Sequence, residues 1–157
     1  MTLNECRQTM ERERLRAVFA DEEKILYVSS GRGMEPMLEF LRLQEKNGWR
    51  PVYQADRIIG KAAIIVAHHC GVREIYGDVV SESAMQIAER CGIRISWGQL
   101  VPMILNRDKT AEGPFEAALS GLTENDFDQV MEIAVKVAEK MRRQRGSETD
   151  GQGEKED

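Results

Sequence analysis

Two stretches of this chain hold residue types at spacings that suit chemistry: Ala55-Asp56-Arg57-Ile58-Ile59-Gly60-Lys61-Ala62-Ala63, and Asn106-Arg107-Asp108-Lys109-Thr110-Ala111-Glu112-Gly113-Pro114-Phe115-Glu116. The first reads as an aspartate and a lysine at the opening of an apolar helix. Helix-start N–H groups and an ammonium facing one ligand make an anion seat, and Asp56 at its mouth could exchange a proton. A lysine in the first turns opposes the positive end of the helix macrodipole, so Lys61 calls for a nearby carboxylate or a bound anion. A capping aspartate with a structural ion pair meets the same need. Arg57, Lys61 and His68 fall on one helical stripe, interrupted by Ile64. In the second stretch Asn106, Arg107, Asp108, Lys109, Thr110 and Glu116 could line the same pocket, with Arg107 clamping a phosphate or carboxylate in a bidentate grip. A solvated surface loop is the alternative.

Other candidates carry weaker signals. Gly31-Arg32-Gly33 could let backbone approach a phosphate at the start of the next helix, although a glycine-rich turn has the same composition. Ser81 offers a hydroxyl to a ligand, but capping explains it. His68 and His69 adjoin Cys70, yet neighbouring helical residues point about 100° apart and cannot easily share an ion. Cys70 and Cys91 sit on apolar stripes, as small buried hydrophobes would.

The elements that must position these residues fill 157 positions, the size of one domain. The expected layout is a single domain over residues 1–145 and a disordered acidic tail over 146–157, where no apolar residue offsets the ordering entropy. The net charge of −5 argues against a protein that coats nucleic acid. No apolar run approaches the roughly 20 residues of a membrane helix. Cys6, Cys70 and Cys91 are odd in number and widely spaced, which reads as reduced thiols in a cytoplasmic protein.

Thr2 to about Arg14 reads as a narrowly amphipathic helix, and residues 15–20 with 24–29 as a hairpin. A helix from Met34 to about Lys46 ends at Asn47-Gly48. Pro51-Val52-Tyr53-Gln54 is a short strand, after which Asp56 caps a helix apolar from Ile58 to Ala67. Glu74–Val80 returns to a strand, a helix capped by Ser81 stops at Gly92, and Ile93–Trp97 alternates as a strand. A long helix capped by Thr123 and Asp126 runs to about Arg143. Strand, helix, strand, helix, strand implies right-handed crossovers and a largely parallel section of sheet.

The chain resembles a family of uncharacterised prokaryotic proteins, a domain of unknown function with a cytidine-deaminase-like fold that lacks the deaminase zinc ligands. The likeness covers roughly Leu15 to Leu119. It rests on Gly31, Arg32, Gly33 and Pro36; on Asp56, Gly60, Lys61, Ala62 and Ala63; on Gly71, Val72, Glu74 and Tyr76; and on Asn106, Arg107, Thr110, Pro114 and Glu116. Arg57 replaces the family's lysine, while Ala111 and Gly113 stand where the family has glycine and cysteine, so a thiolate at that position is excluded here. The resemblance implies a three-layer α/β/α domain with a mixed sheet.

A zinc deaminase needs His-x-Glu at one helix start and Pro-Cys-x-x-Cys at the next. The expected starts, Ala55-Asp56-Arg57 and Val80-Ser81-Glu82-Ser83-Ala84, hold no thiolate or imidazole, so no metal or other cofactor is expected. The preferred function is recognition of a small anionic, nucleotide-like ligand by Arg32, Asp56, Lys61, Ser81, Asn106, Arg107, Thr110 and Glu116. That ligand class comes from the fold analogy. One alternative is a metal-independent enzyme in which Asp56 or Glu116 handles a proton while Lys61 and Arg107 stabilise negative charge. Another is a protein-interaction module. Neither nucleic acid nor membrane is an expected partner; a homodimer is compatible with the resemblance, since deaminase-like folds often pair.

Overall fold

The N-terminal segment is helical as expected, and Thr2 caps α1 (Leu3–Arg12) by accepting the Glu5 N–H. The hairpin follows as β1 (Ala17–Ala20) and β2 (Ile25–Ser29), closed by Asp21, whose Oδ1 accepts the Glu23 and Lys24 N–H groups at 2.8 Å. α2 (Glu35–Asn47) stops at Gly48, which takes the left-handed conformation that a residue without Cβ adopts freely. Then come β3 (Tyr53–Ile59), α3 (Lys61–Cys70), β4 (Glu74–Ser81), α4 (Glu82–Cys91), β5 (Arg94–Val101), α5 (Pro114–Ala118) and α6 (Phe127–Gln152). This computed structural model describes residues 1–105 and 114–152, and in the second span the side chains of 116–140 and 142–144.

β3 is longer than the short strand expected, and its length corrects the reading of Asp56. Asp56 is not a helix cap: it lies inside β3, paired with Ala17 on one side and Gly77 on the other. Arg57 and Ile58 are strand residues too, so Arg57, Lys61 and His68 share no helical stripe. The physical reason is that β3 is a central strand with ladders on both edges, and those hydrogen bonds carry the extended backbone on to Gly60. At the other end α6 passes Arg143 and continues through Gly146 to Gln152, into the segment expected as a tail.

The sheet order is β2-β1-β3-β4-β5, with β1 antiparallel to both neighbours and β3, β4 and β5 parallel. Helices cover both faces. α1 lies over β1, β3 and part of β4, while α3 packs on the other face with α2, α4, α5 and α6 around it. The larger core sits under α3, whose Ala62 to Ala67 are all buried, and includes Phe19, Phe40, Ile59, Ile75 and Val80. A smaller core under α1 joins Cys6, Met10, Val18, Ala20, Ala55 and Tyr76. Among the described residues no helix is long and apolar enough to cross a membrane.

The parallel strands share one irregularity. Ile75 and Val80 both enter the larger core, and Ile95 and Leu100 both pack against it, although residues five apart in a regular strand point to opposite faces. The faces exchange at the row Arg57, Asp78 and Gly98, which falls between the paired rows Asp56-Gly77-Trp97 and Ile58-Val79-Gln99. Arg57 fills that row on the α1 side. It donates to Leu15 O at 2.8 Å, to Met10 O at 3.1 Å and to Asp78 Oδ2 at 2.9 Å, tying the end of α1 to the sheet. A Cβ at Gly98 would lie 2.9 Å from the Asp78 carbonyl oxygen, so only glycine fits beside the exchange. Replacing Arg57 by Met should therefore lower stability by roughly 2–4 kcal/mol, because two carbonyls and a carboxylate lose their donor. Urea unfolding of the two proteins checks this, with the loss expected in the midpoint and not in the slope.

Candidate functional site

Because β1 alone runs against the others, β2, β3, β4 and β5 all finish at one edge of the sheet. The starts of α2, α3 and α4 therefore come to that edge, together with the connection that leaves β5. In open α/β sheets the edge beyond the carboxyl ends of the strands is where ligands bind. Of the residues singled out by sequence, Arg32, Lys61 and Ser81 stand at these junctions and Glu116 reaches them from α5. Asn106, Arg107 and Thr110 lie outside the described residues.

The start of α3 answers the question posed by its lysine. Gly60, in extended conformation, offers no side chain to cap the helix. Glu116 does so instead: its Oε1 accepts the Lys61 backbone N–H at 2.6 Å, placing a carboxylate on the positive end of the dipole. The Lys61 ammonium turns away and donates to Leu119 O at 3.2 Å. Two bonds thus pin α5 and its following turn to α3. Glu116 is 8% exposed, and a Cβ on Gly60 would overlap its carboxylate. The expected pairing of Asp56 with Lys61 does not form, since each has other partners.

The neighbouring helix starts differ from one another. Ser81 is fully buried; its Oγ accepts the Ala84 N–H at 3.2 Å and shares a hydrogen bond with the Ser83 hydroxyl at 3.1 Å. α2 begins at Met34 with no side-chain cap. Before it, the Gly31 N–H donates to Ser29 Oγ at 2.9 Å, the Arg32 carbonyl accepts the Glu35 N–H at 3.1 Å, and Gly33 takes a left-handed φ of 57°.

Asp56 lies back from this edge on the helix-covered face of β3. Its Oδ2 accepts Gln54 Nε2 at 3.3 Å, and the nearby Arg57 and Ile58 N–H groups favour its charged form. The residue keeps a partial opening to solvent while its carboxyl is set among protein atoms. Burial, only partly opposed by those hydrogen bonds and by the charge of Arg16, pushes its pKa up to about 7. Gln54 was not singled out in the sequence, where it closes a run of strand formers. It is fully buried, and among the described residues its Oε1 has no hydrogen-bond partner. A glutamine closing the run Pro51-Val52-Tyr53 was the signal available.

The histidines serve other ends. Both are exposed at the end of α3, and the His69 ring stacks on Phe127 with centroids 3.5 Å apart and planes 6° from parallel. Among the described residues no group of three His, Cys, Asp or Glu side chains could hold a metal ion. The helix start facing the expected His-x-Glu position is Ile59-Gly60-Lys61, not Ala55-Asp56-Arg57, and it too carries no imidazole or thiolate. Cys6 and Cys70 are buried thiols whose pKa rises through burial to about 11 and about 12, so neither is poised as a nucleophile. A surface cavity of about 580 Å³ opens at the opposite edge, beside Gln44, Trp49, Cys70, Arg50 and Arg73. There the two arginines suit the negative ends of α2 and α3, and of the groups above Cys70 borders it.

The sequence model of TM1506, a domain of unknown function (DUF1893), matches residues 5–136. A solved structure similar to this chain is that of a DUF1893 family protein (TM1506) from Thermotoga maritima at 2.70 Å. The two share a TM-score of 0.71 and 20% sequence identity over 88% of each chain. At that identity the likeness speaks to the fold. None of the curated proteins matches this chain.

Two measurements test the site as a structure. Gly60→Ala and Glu116→Ala should each lower stability by about 1–2 kcal/mol, the scale of a lost helix cap, and the double variant should fall no further than the larger single loss. Additive losses in chemical denaturation would mean that the two residues do not share one interaction. For Asp56, the folded chain holds the proton more tightly than the unfolded chain, where it titrates near 3.8. Its contribution to stability is whole below about pH 4 and is lost as pH rises through about 7. Asp56→Asn should then melt a few degrees above wild type at pH 8 and close to it at pH 4, as read by thermal unfolding across that range.

Proposed function

The chain belongs to the DUF1893 family, and from that premise we propose that it is a recognition domain that binds a small anionic, nucleotide-like ligand at the edge where α2, α3 and α4 begin. Its sheet order and its helices on both faces support a cytidine-deaminase-like fold that has given up the zinc route. One observation carries the binding reading. Three helix N-termini bring positive dipole ends to one edge, two of them are met by acceptors from the chain itself, Glu116 and Ser81, and the third, at α2, has no side-chain cap. Arg32, which has a partner within the chain, stands directly before that third start, and in this reading an incoming anion competes for its guanidinium. Arg107, from the connection after β5, adds a second planar donor in this reading.

Glu116 shapes the specificity. A carboxylate already fills the start of α3, and like charges repel, so the anionic group of the ligand does not belong there.

A second reading, metal-independent catalysis, is favoured by the Asp56 carboxyl alone: with its pKa raised to about 7 it can both give and take a proton at neutral pH. Loss of turnover in Asp56→Ala with ligand affinity intact would favour it.

Native mass spectrometry of the freshly purified chain, followed by calorimetric titration with inorganic phosphate and nucleoside monophosphates, tests the binding reading. A retained or titrated anion is expected, weakened about tenfold or more in Arg32→Ala and in Arg107→Ala. A chain that carries no small molecule and binds none of these probes would overturn it.

A further inference from the structure

Gln54 and Asp56 stand two residues apart on one face of β3, with Asp56 nearer to the edge where α2, α3 and α4 begin. Gln54 is 0% exposed. Its Nε2 donates to Met37 Sδ at 3.4 Å and to Asp56 Oδ2 at 3.3 Å, while its Oε1 meets no donor. An amide oxygen buried without a partner opposes folding, and a leucine or methionine of similar size would remove that cost. The chain instead keeps a second polar group beside it. Burial raises the Asp56 carboxyl to about 7, so a neutral acid with an O–H to donate coexists with the carboxylate near neutral pH. Two groups that disfavour folding, side by side on a face that leads to the ligand-bearing edge, mark a place where the missing partner comes from outside the chain.

We propose that Gln54 and Asp56 form a recognition site for a planar amide-type edge, a lactam, amidine or primary carboxamide that presents an N–H beside a hydrogen-bond acceptor. The ligand N–H goes to Gln54 Oε1, and its neighbouring acceptor takes the O–H of protonated Asp56. Both chain groups are planar and between them supply the acceptor and the donor that such an edge lacks. Asp56, the less deeply buried residue of the two and the nearer to the edge, is the entry side, and Gln54 is the inner end. This inference rests on the reading of the edge as a ligand site: the start of α2 takes the anionic end of the ligand, and β3 takes its uncharged end.

The probes are uridine and cytidine, which carry such an edge and no phosphate, with N3-methyluridine, which lacks the N–H, and inorganic phosphate. Each is followed by ligand-observed NMR against wild type, Gln54→Leu and Asp56→Asn, with thermal unfolding to show that the variants are folded. The expected result is nucleoside binding that falls about tenfold or more in Gln54→Leu and for N3-methyluridine, as for the loss of one buried hydrogen bond. Asp56→Asn, which keeps a neutral donor, should stay within about threefold of wild type, and phosphate binding should not change in either variant. Nucleosides that bind Gln54→Leu as well as wild type, or phosphate binding without any nucleoside binding, would overturn the proposal and leave the anion reading standing. Gln54-dependent nucleoside binding without phosphate binding would support it and remove the anion reading instead.

Discussion

Strand direction is the constraint on which the site depends. β1 pairs antiparallel on both sides, which sets β2 running with β3, β4 and β5, and four strand ends then share one edge. Had β2 been parallel to β1, the start of α2 with Gly31, Arg32 and Gly33 would stand at the far edge beside the end of α3. The hairpin sets this direction through its turn, because a connection as short as Asp21 to Lys24 permits only antiparallel strands. A local turn thereby decides which distant helix starts become neighbours.

The edge so formed concentrates positive dipole ends, and the chain meets them unequally. Glu116 supplies a carboxylate to α3 from 55 residues away, and the close approach requires a residue without Cβ at Gly60. Ser81 serves α4 through its own hydroxyl. The two solutions differ in consequence: a local cap stabilises its own helix, whereas the Glu116 contact also fixes α5 and with it one end of the connection that holds Asn106, Arg107 and Thr110. The lysine that seemed to need an anion has one inside the chain.

Behind the edge, the sheet carries two kinds of polar group with opposite characters. Arg57 on the α1 side is well satisfied, holding two carbonyls and Asp78 at the row where the strand faces exchange. Its role is to join α1 to the sheet. Asp56 and Gln54 on the other side are poorly satisfied, one with a raised pKa and the other with an unpaired oxygen. Residue order along a single strand separates the two, since neighbours in β3 face opposite layers.

What the sequence determined by itself were the features written in neighbouring residues. Ser81 as a cap, Gly48 and Gly92 as helix stops, and the hairpin about Asp21 are all legible because a cap or a left-handed glycine acts on backbone within a few residues. The motifs around Arg32, Lys61 and Glu116 were legible as places of interest, and the fold sets those residues at one edge. Only the tertiary structure decided that Asp56 lies in a strand, because ladders from β1 and β4 extend β3 where local apolar pattern alone suits a helix equally well. It alone paired Lys61 with Glu116 and left Gln54 Oε1 without a donor. A hydrogen bond between residues 55 apart, or the lack of one inside a core, depends on which segments pack together, and no spacing along the chain records that.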